Sequence, residues 1–424
     1  MADFLGARFI LQFRGGDLRG WGFSYSAGNA VLFLTVFYVF VKAGKVFLPS
    51  VPGFLSSALF LLLLVVSFFP ILQSLVKVGR VGQVQRIVVF IGVLAAALIL
   101  PLVMHRFFLV DRLDHLGRSP LDTAASLSVF SLCWVIIGAV LQRAMLPYSN
   151  SIGFVALVVP LILVLPSIGS DFVIDYRLLN AGRSDGLEFN HLVLGETVGV
   201  LVLFAIAISQ GYLRVVAIGL AVFVLFALGG RTALFSIVPT LLVFFAVKRQ
   251  LTRYLPVLFF LVFVPLVFFL IVYADFIFES TALSRMLIIG GLGDENSFVL
   301  RSEFIKIGLH ALPDQILFGD PTFLVDRLGT VGAYMHNILS AWQFWGFFTF
   351  FYILVCCLIV SIGFWRYPFL ANDAVGDFAL ITFLYGFVCV LSGKHVGFDL
   401  FWLGLGMGLA RVASSSQRES VLEE

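Results

Sequence analysis

The chain has 424 residues, of which 61% are hydrophobic and 12% charged, and its mean hydropathy is +1.07. A soluble core of this size could not bury so many uninterrupted apolar segments, so a soluble globular protein is excluded. The net charge of +3 is too small to suggest a nucleic-acid partner. The composition therefore predicts an all-α polytopic membrane protein.

A transmembrane helix needs about 20 predominantly apolar residues. By that criterion we predict about twelve spans, at residues 28–44, 52–74, 87–104, 124–142, 152–168, 191–209, 213–229, 231–247, 254–273, 335–363, 376–392 and 398–413. The corresponding divisions are an N-terminal segment, nine helices, a long polar loop, three helices and a tail, at residues 1–27, 28–273, 274–334, 335–413 and 414–424.

Lysine and arginine are concentrated in loops that twelve spans would place on one side of the membrane. Because cytoplasmic loops carry an excess of these residues, we predict that this side and both termini are cytoplasmic. The prediction rests on Arg8, Arg14, Arg19, Lys77, Arg80, Arg86, Arg143, Arg214, Lys248, Arg249, Arg253, Arg366, Arg411 and Arg418. The long polar loop is then extracytoplasmic.

The predicted outer loops also carry many basic residues, which need an explanation. One interpretation is a set of salt bridges with Asp111, Asp114, Asp185, Asp294 and Glu303. For the group we favour an anionic ligand, because a guanidinium makes bidentate, permanently charged contacts with phosphate. The outward residues are Arg106, Arg112, Arg118, Arg177, Arg183, Arg231, Arg285, Arg301, Lys306, Arg327 and Lys394.

The long polar loop contains a helical pattern. Apolar residues between Arg301 and Leu312 recur at helical intervals, with Ser302 as a candidate cap and Pro313 as the end. We therefore predict an ordered helical lid whose apolar face lies on the membrane surface or on the end of the bundle.

The cysteines carry no chemistry in this interpretation. All of them lie within predicted spans and lack metal-ligand spacing, so we interpret them as small apolar fillers. They are Cys133, Cys356, Cys357 and Cys389. We predict no metal and no cofactor.

Arg231 is the first candidate site residue. It follows Gly229 and Gly230 in a tight connection between two spans, at the start of a helix whose positive end points outward. An anion there would meet a guanidinium and free backbone N–H groups together. The alternative is an interfacial anchor whose side chain snorkels to the membrane surface.

His336 is the second candidate. It stands where the long loop re-enters the membrane, with Asn337 beside it and Tyr334 just before. Near neutral pH an imidazole can accept a proton from a hydroxyl nucleophile. The alternative is a helix cap or a satisfied surface group, with Glu188 or Glu303 next in line as the base.

These motifs resemble those of the bacterial O-antigen ligase and O-antigen polymerase superfamily. The resemblance covers roughly Arg177 to Thr349 and rests on four blocks of sequence. They are Glu188-Phe189-Asn190-His191, Gly229-Gly230-Arg231-Thr232-Ala233-Leu234-Phe235, His336-Asn337-Ile338-Leu339 and Gly346-Phe347-Phe348-Thr349.

The resemblance implies transfer of a glycan from undecaprenyl diphosphate at the outer face of the bacterial inner membrane, without nucleotide sugar or metal. Arg231 would hold the diphosphate, His336 would act as the base, and Arg183 or Arg177 would complete the anion clamp. Further substrate contacts would come from Arg301, Asn190, Glu188, Asn337 and Tyr334. The implied partners are the lipid-linked oligosaccharide, an acceptor glycolipid, membrane lipid, and a chain-length regulator or flippase.

Three functions stay open at this stage. A polymerase adds the growing chain to another lipid-linked repeat unit, whereas a ligase adds it to lipid A-core. The arginine-bearing third and fifth outer loops resemble the arrangement in the polymerases of that superfamily, and this resemblance favours the polymerase. A lipid or sugar transporter is the alternative from another class, but transporters place ionisable groups near the membrane midplane, where this chain has few.

Overall fold

The computed structural model describes most of the chain between residues 22 and 422. The described residues are 22–47, 53–76, 81–109, 111, 113–114, 117–165, 168, 174, 191–228, 231–256, 296–315, 317–329 and 334–422. At several helix ends, Arg231 included, they are described as backbone without a side chain.

The described residues form thirteen α-helices and no β-strand. The helices are α1 (Gly22–Phe47), α2 (Gly53–Val76), α3 (Val81–Phe108), α4 (Pro120–Leu141), α5 (Asn150–Val164), α6 (His191–Ile208), α7 (Tyr212–Ala227), α8 (Arg231–Val247), α9 (Asn296–Ala311), α10 (Phe323–Leu328), α11 (Ser340–Arg366), α12 (Ala374–Ser392) and α13 (Asp399–Leu422). The all-α prediction is therefore confirmed for these residues.

Five of the described helices are long and apolar enough to cross a membrane: Phe54–Ile71, Arg86–Phe108, Pro120–Leu141, Ser340–Arg366 and Ala374–Ser392. Five further apolar helices are shorter, between 10 and 17 residues. The transmembrane character is thus supported, whereas the total of twelve spans stays a prediction. Most of the predicted ninth span, from residue 257 onward, lies outside the described residues.

Helices α12, α13 and α4 form the centre of the bundle. In α12, 78% of the span is buried, against 17% in α2 and 22% in α3, which present their apolar side chains outward. The α4–α13 contact depends on small residues, because a Cβ at Gly138 would collide with the Leu403 carbonyl and one at Gly406 with the Val135 carbonyl. Such close backbone approach is how apolar helices associate in lipid.

The polar loop contains the predicted helix, with different bounds. Helix α9 begins at Asn296, so Ser302 lies inside it and the prediction that Ser302 caps it is wrong. A 3-10 turn, Leu312–Gln315, follows α9 and contains Pro313. Gly308 of α9 packs against Met335, so this helix lies on the end of the bundle, one of the two surfaces expected for it. At the other terminus, α13 continues to Leu422 through most of the predicted tail.

Candidate functional site

The site forms where the chain enters α11, in a turn that precedes the helix. The predicted span began at residue 335, but α11 begins at Ser340, which leaves Tyr334 to Leu339 as a separate turn. The Asn337 side-chain oxygen accepts the Leu339 N–H at 3.0 Å. Asn337 therefore stabilises the turn, and His336 does not have the capping role considered as its alternative.

Aromatic contacts hold His336 at the rim of the bundle. The Tyr334 ring lies 4.6 Å from the His336 ring and 4.7 Å from the His395 ring, measured between centroids. On the side of α9, Phe304 stacks on His336 at 6.3 Å. The histidine cluster, meaning Tyr334, His336 and His395, thus joins two distant parts of the chain and is covered by the lid helix.

The hairpin between α12 and α13 supplies the other half of the cluster. The His395 Nδ1 accepts the Gly397 N–H at 2.9 Å, so the proton of the neutral ring is on Nε2. Beside it, Lys394 is buried, with its ammonium 5.4 Å from the centre of the Phe398 ring. A cation and an imidazole therefore lie together in the short connection between two apolar helices.

Ser340 ties the turn to the hairpin. Its hydroxyl donates to the Asn337 carbonyl at 2.7 Å and accepts the Val396 N–H at 2.9 Å. The Val396 carbonyl in turn accepts the Trp402 indole N–H at 2.6 Å. Since Ser340 is fully buried, these bonds hold the two histidine-bearing segments in one arrangement.

Both histidines are neutral at pH 7. Burial is the main reason that the pKa of His336 is lowered to about 4, and the neighbouring Arg301, His395 and Lys394 contribute to the same shift. For His395, burial is again the main cause and Lys394 the second, and the pKa is also about 4. A neutral His336 imidazole can accept a proton, and Arg301 and Lys394 are close enough for their charges to act on it.

The start of α8 reaches the same rim. A Cβ at Gly393 would lie 3.0 Å from the Thr232 hydroxyl, and the Tyr385 hydroxyl donates to the Ala233 carbonyl at 3.2 Å. The backbone of Arg231 is therefore next to the hairpin that carries His395, although its side chain is not described. The Arg231 and His336 motifs, 105 positions apart in the sequence, converge on one hairpin.

The remaining predicted site residues divide into two groups. Arg301 and Tyr334 contribute charge and ring contacts around His336, and Asn337 stabilises its turn. The others lie outside the described residues, so their placement stays a prediction: Arg177, Arg183, Glu188 and Asn190.

Two of the outward arginines follow the salt-bridge interpretation. Arg118 pairs with Asp114 at 2.8 Å, and Arg106 lies 3.8 Å from Asp111. These arginines thus pair with neighbouring carboxylates. Fewer of the outward basic residues therefore remain as candidates for binding an anionic ligand. Among the described residues no group of His, Cys, Asp or Glu could hold a metal ion, and all four cysteines are free and buried.

Sequence reasoning missed His395 as a site residue and counted Lys394 only as one of the outward basic residues. The signal was present, because two ionisable residues stand in a six-residue connection, residues 393–398, between the apolar helices α12 and α13. It also missed Asp377, which is fully buried at the opposite end of α12 and pairs with Arg214 and Lys248. Nothing in the local sequence connects those three residues, which lie far apart in the chain.

Comparison with known proteins adds no assignment to this geometry: no family model, no curated protein and no solved structure matches the chain.

Proposed function

We propose that the chain is a polysaccharide polymerase of the O-antigen type, which transfers a glycan from undecaprenyl diphosphate to a sugar hydroxyl at the outer face of the inner membrane. One observation carries the proposal. A neutral imidazole, His336, is under the electrostatic influence of two cations from separate parts of the chain, Arg301 and Lys394, beside the start of α8. A base and an anion site at the rim of an apolar bundle suit a lipid-linked diphosphate donor.

The transfer divides between two groups of residues. His336 takes the proton of the acceptor hydroxyl. As it does so, the oxygen of that hydroxyl forms a bond to the anomeric carbon of the donor sugar. The bond between that carbon and the diphosphate oxygen breaks, and the diphosphate leaves with the electron pair. Charge grows on the leaving group during this step, so nearby cations such as Arg231 and Lys394 stabilise the transition state more than the ground state.

The charges around His336 couple donor binding to base strength. Without an anion, burial and the neighbouring cations keep the pKa of His336 near 4, which makes a weak base. A bound diphosphate offsets those cations, so the pKa of His336 rises above that value, while burial, the larger cause, continues to lower it. His336 is then a stronger base when the donor is in place.

Deletion of the gene in its bacterial host tests the function, and it separates polymerase from ligase. Loss of a polymerase should leave lipid A-core with a single repeat unit, or remove an exopolysaccharide while the core is untouched. The glycans are resolved on a gel. Bare core with long chains accumulated on the lipid carrier would instead assign the ligase, and unchanged glycans would reject both and favour transport.

Complementation with variants tests the two key residues. His336→Ala should lower transfer about 10²–10⁴-fold, as for loss of a general base. Arg231→Lys should lower it on the order of 100-fold, because a point charge does not replace a bidentate guanidinium. His310→Ala is the matched control, since His310 is exposed on α9. A near-normal amount of polymer in cells that carry His336→Ala would show that His336 is not the base.

A further inference from the structure

A second polar site lies at the end of the bundle opposite the histidine cluster. Asp377 is in the first turn of α12, whereas Lys394 follows the last turn of the same helix. With a rise of about 1.5 Å per residue, roughly 25 Å separate the two ends. The residues at the Asp377 end therefore take no part in chemistry at His336.

Asp377 is the centre of a buried ion cluster. Its Oδ1 accepts from the Lys248 ammonium at 2.8 Å, and its Oδ2 accepts from Arg214 at 2.9 Å and from the Tyr148 hydroxyl at 3.1 Å. Burial is the main reason that the pKa of Tyr148 is raised well above its ordinary value, so the hydroxyl keeps its proton. One carboxylate thus serves two buried cations, and the cluster carries a surplus positive charge.

The surplus charge faces a cavity. A polar cavity of about 260 Å³ is lined by Tyr148, Arg214, Lys248, Gln250 and Arg253, among others. This is many times the roughly 10–15 Å³ that one water needs. Arg253 adds a third cation to the wall, so the described charges of cluster and cavity sum to +2, from three cations and Asp377.

Arg214 retains a donor for a ligand. Its Nε donates to the Ser209 carbonyl at 2.7 Å, and one Nη2 contact goes to the Ala207 carbonyl at 3.2 Å and another to Asp377. Its Nη1 has no acceptor within the described part of the chain. The Arg214 residue is only 5% exposed, and two backbone carbonyls and a carboxylate fix its guanidinium. Such a guanidinium is a rigid donor for an anion.

We propose that this cavity, the Arg214–Lys248 cavity, binds a phosphate-class anion, either free in solution or on a lipid headgroup. Arginine and lysine recognise phosphate through charge-assisted hydrogen bonds, and the Gln250 side-chain amide of the wall supplies further donors. The cavity opens at the end of the bundle, where both aqueous anions and phospholipid headgroups are available.

Binding to the purified full-length protein tests the proposal. Inorganic phosphate, pyrophosphate and micelles doped with phosphatidylglycerol or phosphatidylcholine are titrated at constant ionic strength, and the shift in melting temperature is followed. We expect saturable stabilisation by an anionic probe and none by matched chloride or phosphatidylcholine. A response to phosphate or pyrophosphate identifies a soluble anion, and a response to phosphatidylglycerol alone identifies a headgroup.

Three variants separate a binding site from a structural ion cluster. Arg253→Gln should lower the affinity for the anionic probe about tenfold. Arg249→Gln should leave it unchanged, because Arg249 is exposed at the same end and does not line the cavity. Asp377→Asn frees both buried cations and should tighten binding. Equal affinities for Arg253→Gln and Arg249→Gln, or no stabilisation by any anionic probe, would overturn the proposal whether or not Asp377→Asn folds.

Discussion

His336 and His395 have similar pKa values, but their ring nitrogens differ in hydrogen bonding. The Nδ1 of His395 is committed to the Gly397 N–H, whereas the His336 ring forms no hydrogen bond within the described residues. His336 is also half-buried, so its ring nitrogens are not both enclosed. A ring that is positioned by stacking and not by hydrogen bonds leaves a nitrogen available, which supports the proposal that His336 is the base.

The low pKa of His336 predicts how stability depends on pH. Its pKa is about 4 in the folded protein, against an ordinary value of 6.5. Between these values the unfolded chain binds more protons than the folded chain, so the free energy of unfolding falls as the pH drops through this window. His336→Gln should flatten the decline, leaving the contribution of His395. Melting temperatures from pH 7.5 to 4 give the slopes.

The exposed His310 provides the control for this measurement. His310→Gln should leave the slope of the wild type unchanged, because the side chain is exposed on α9. A wild-type slope in His336→Gln would mean that the imidazole titrates at its ordinary pKa and is not desolvated in the folded protein.

At the scale of elements, a kink in α11 positions the polar loop. Gly346 has φ 82° and ψ 174° inside this helix, a conformation essentially restricted to glycine. The kink leaves the Gln343 carbonyl free to accept the Asp320 N–H at 2.7 Å, and the turn at Leu317 lies against Gly346. The Gln343 side chain also accepts the Met335 N–H at 3.0 Å, which links the kink to the histidine turn.

Gly346→Ala should therefore damage both stability and the site. The backbone conformation alone costs an alanine about 1–3 kcal/mol, and the added Cβ would collide with the Leu317 carbonyl. We expect a melting temperature several degrees lower and faster proteolysis of residues 317–329. Gly92→Ala is the control, because a Cβ there meets no atom within 4 Å. Equal stability of the two variants would show that the kink does not depend on glycine.

At the scale of the molecule, α8 and α12 run side by side between two polar ends. The start of α8 and the end of α12 meet at Gly393, near the histidine cluster. The residues after α8 and at the start of α12 meet at the Lys248–Asp377 pair. Among the described residues, the polar side chains thus lie at both ends of an apolar bundle. This arrangement favours binding or catalysis at the two membrane surfaces.

The orientation of these ends is a prediction that cysteine labelling can test. Asp326→Cys and Arg249→Cys both replace exposed residues, and the four native cysteines are buried. An impermeant maleimide should label Asp326→Cys in intact cells and Arg249→Cys only after lysis, with the unsubstituted protein as the background. Labelling of Arg249→Cys in intact cells would invert the topology and place His336 in the cytoplasm, against the proposed reaction.

The sequence by itself determined the helical architecture and two of the site motifs. Hydropathy and the residues that begin or end helices are local properties of the sequence. Long apolar runs therefore predict the helices, and Gly229-Gly230 predicts a helix start at Arg231. The same local pattern placed a helix in the polar loop, although its start at Asn296 was missed because polar residues there obscure the periodicity.

Only the tertiary structure decided which polar groups meet. Asp377 lies 163 positions from Arg214 in the sequence, yet the two share a hydrogen bond of 2.9 Å. Ser340 likewise joins Val396 across 56 positions, and the hairpin it holds brings His395 to Tyr334. Buried polar groups must find partners inside the bundle, and helix packing, which a one-dimensional pattern does not encode, sets which partners are within reach.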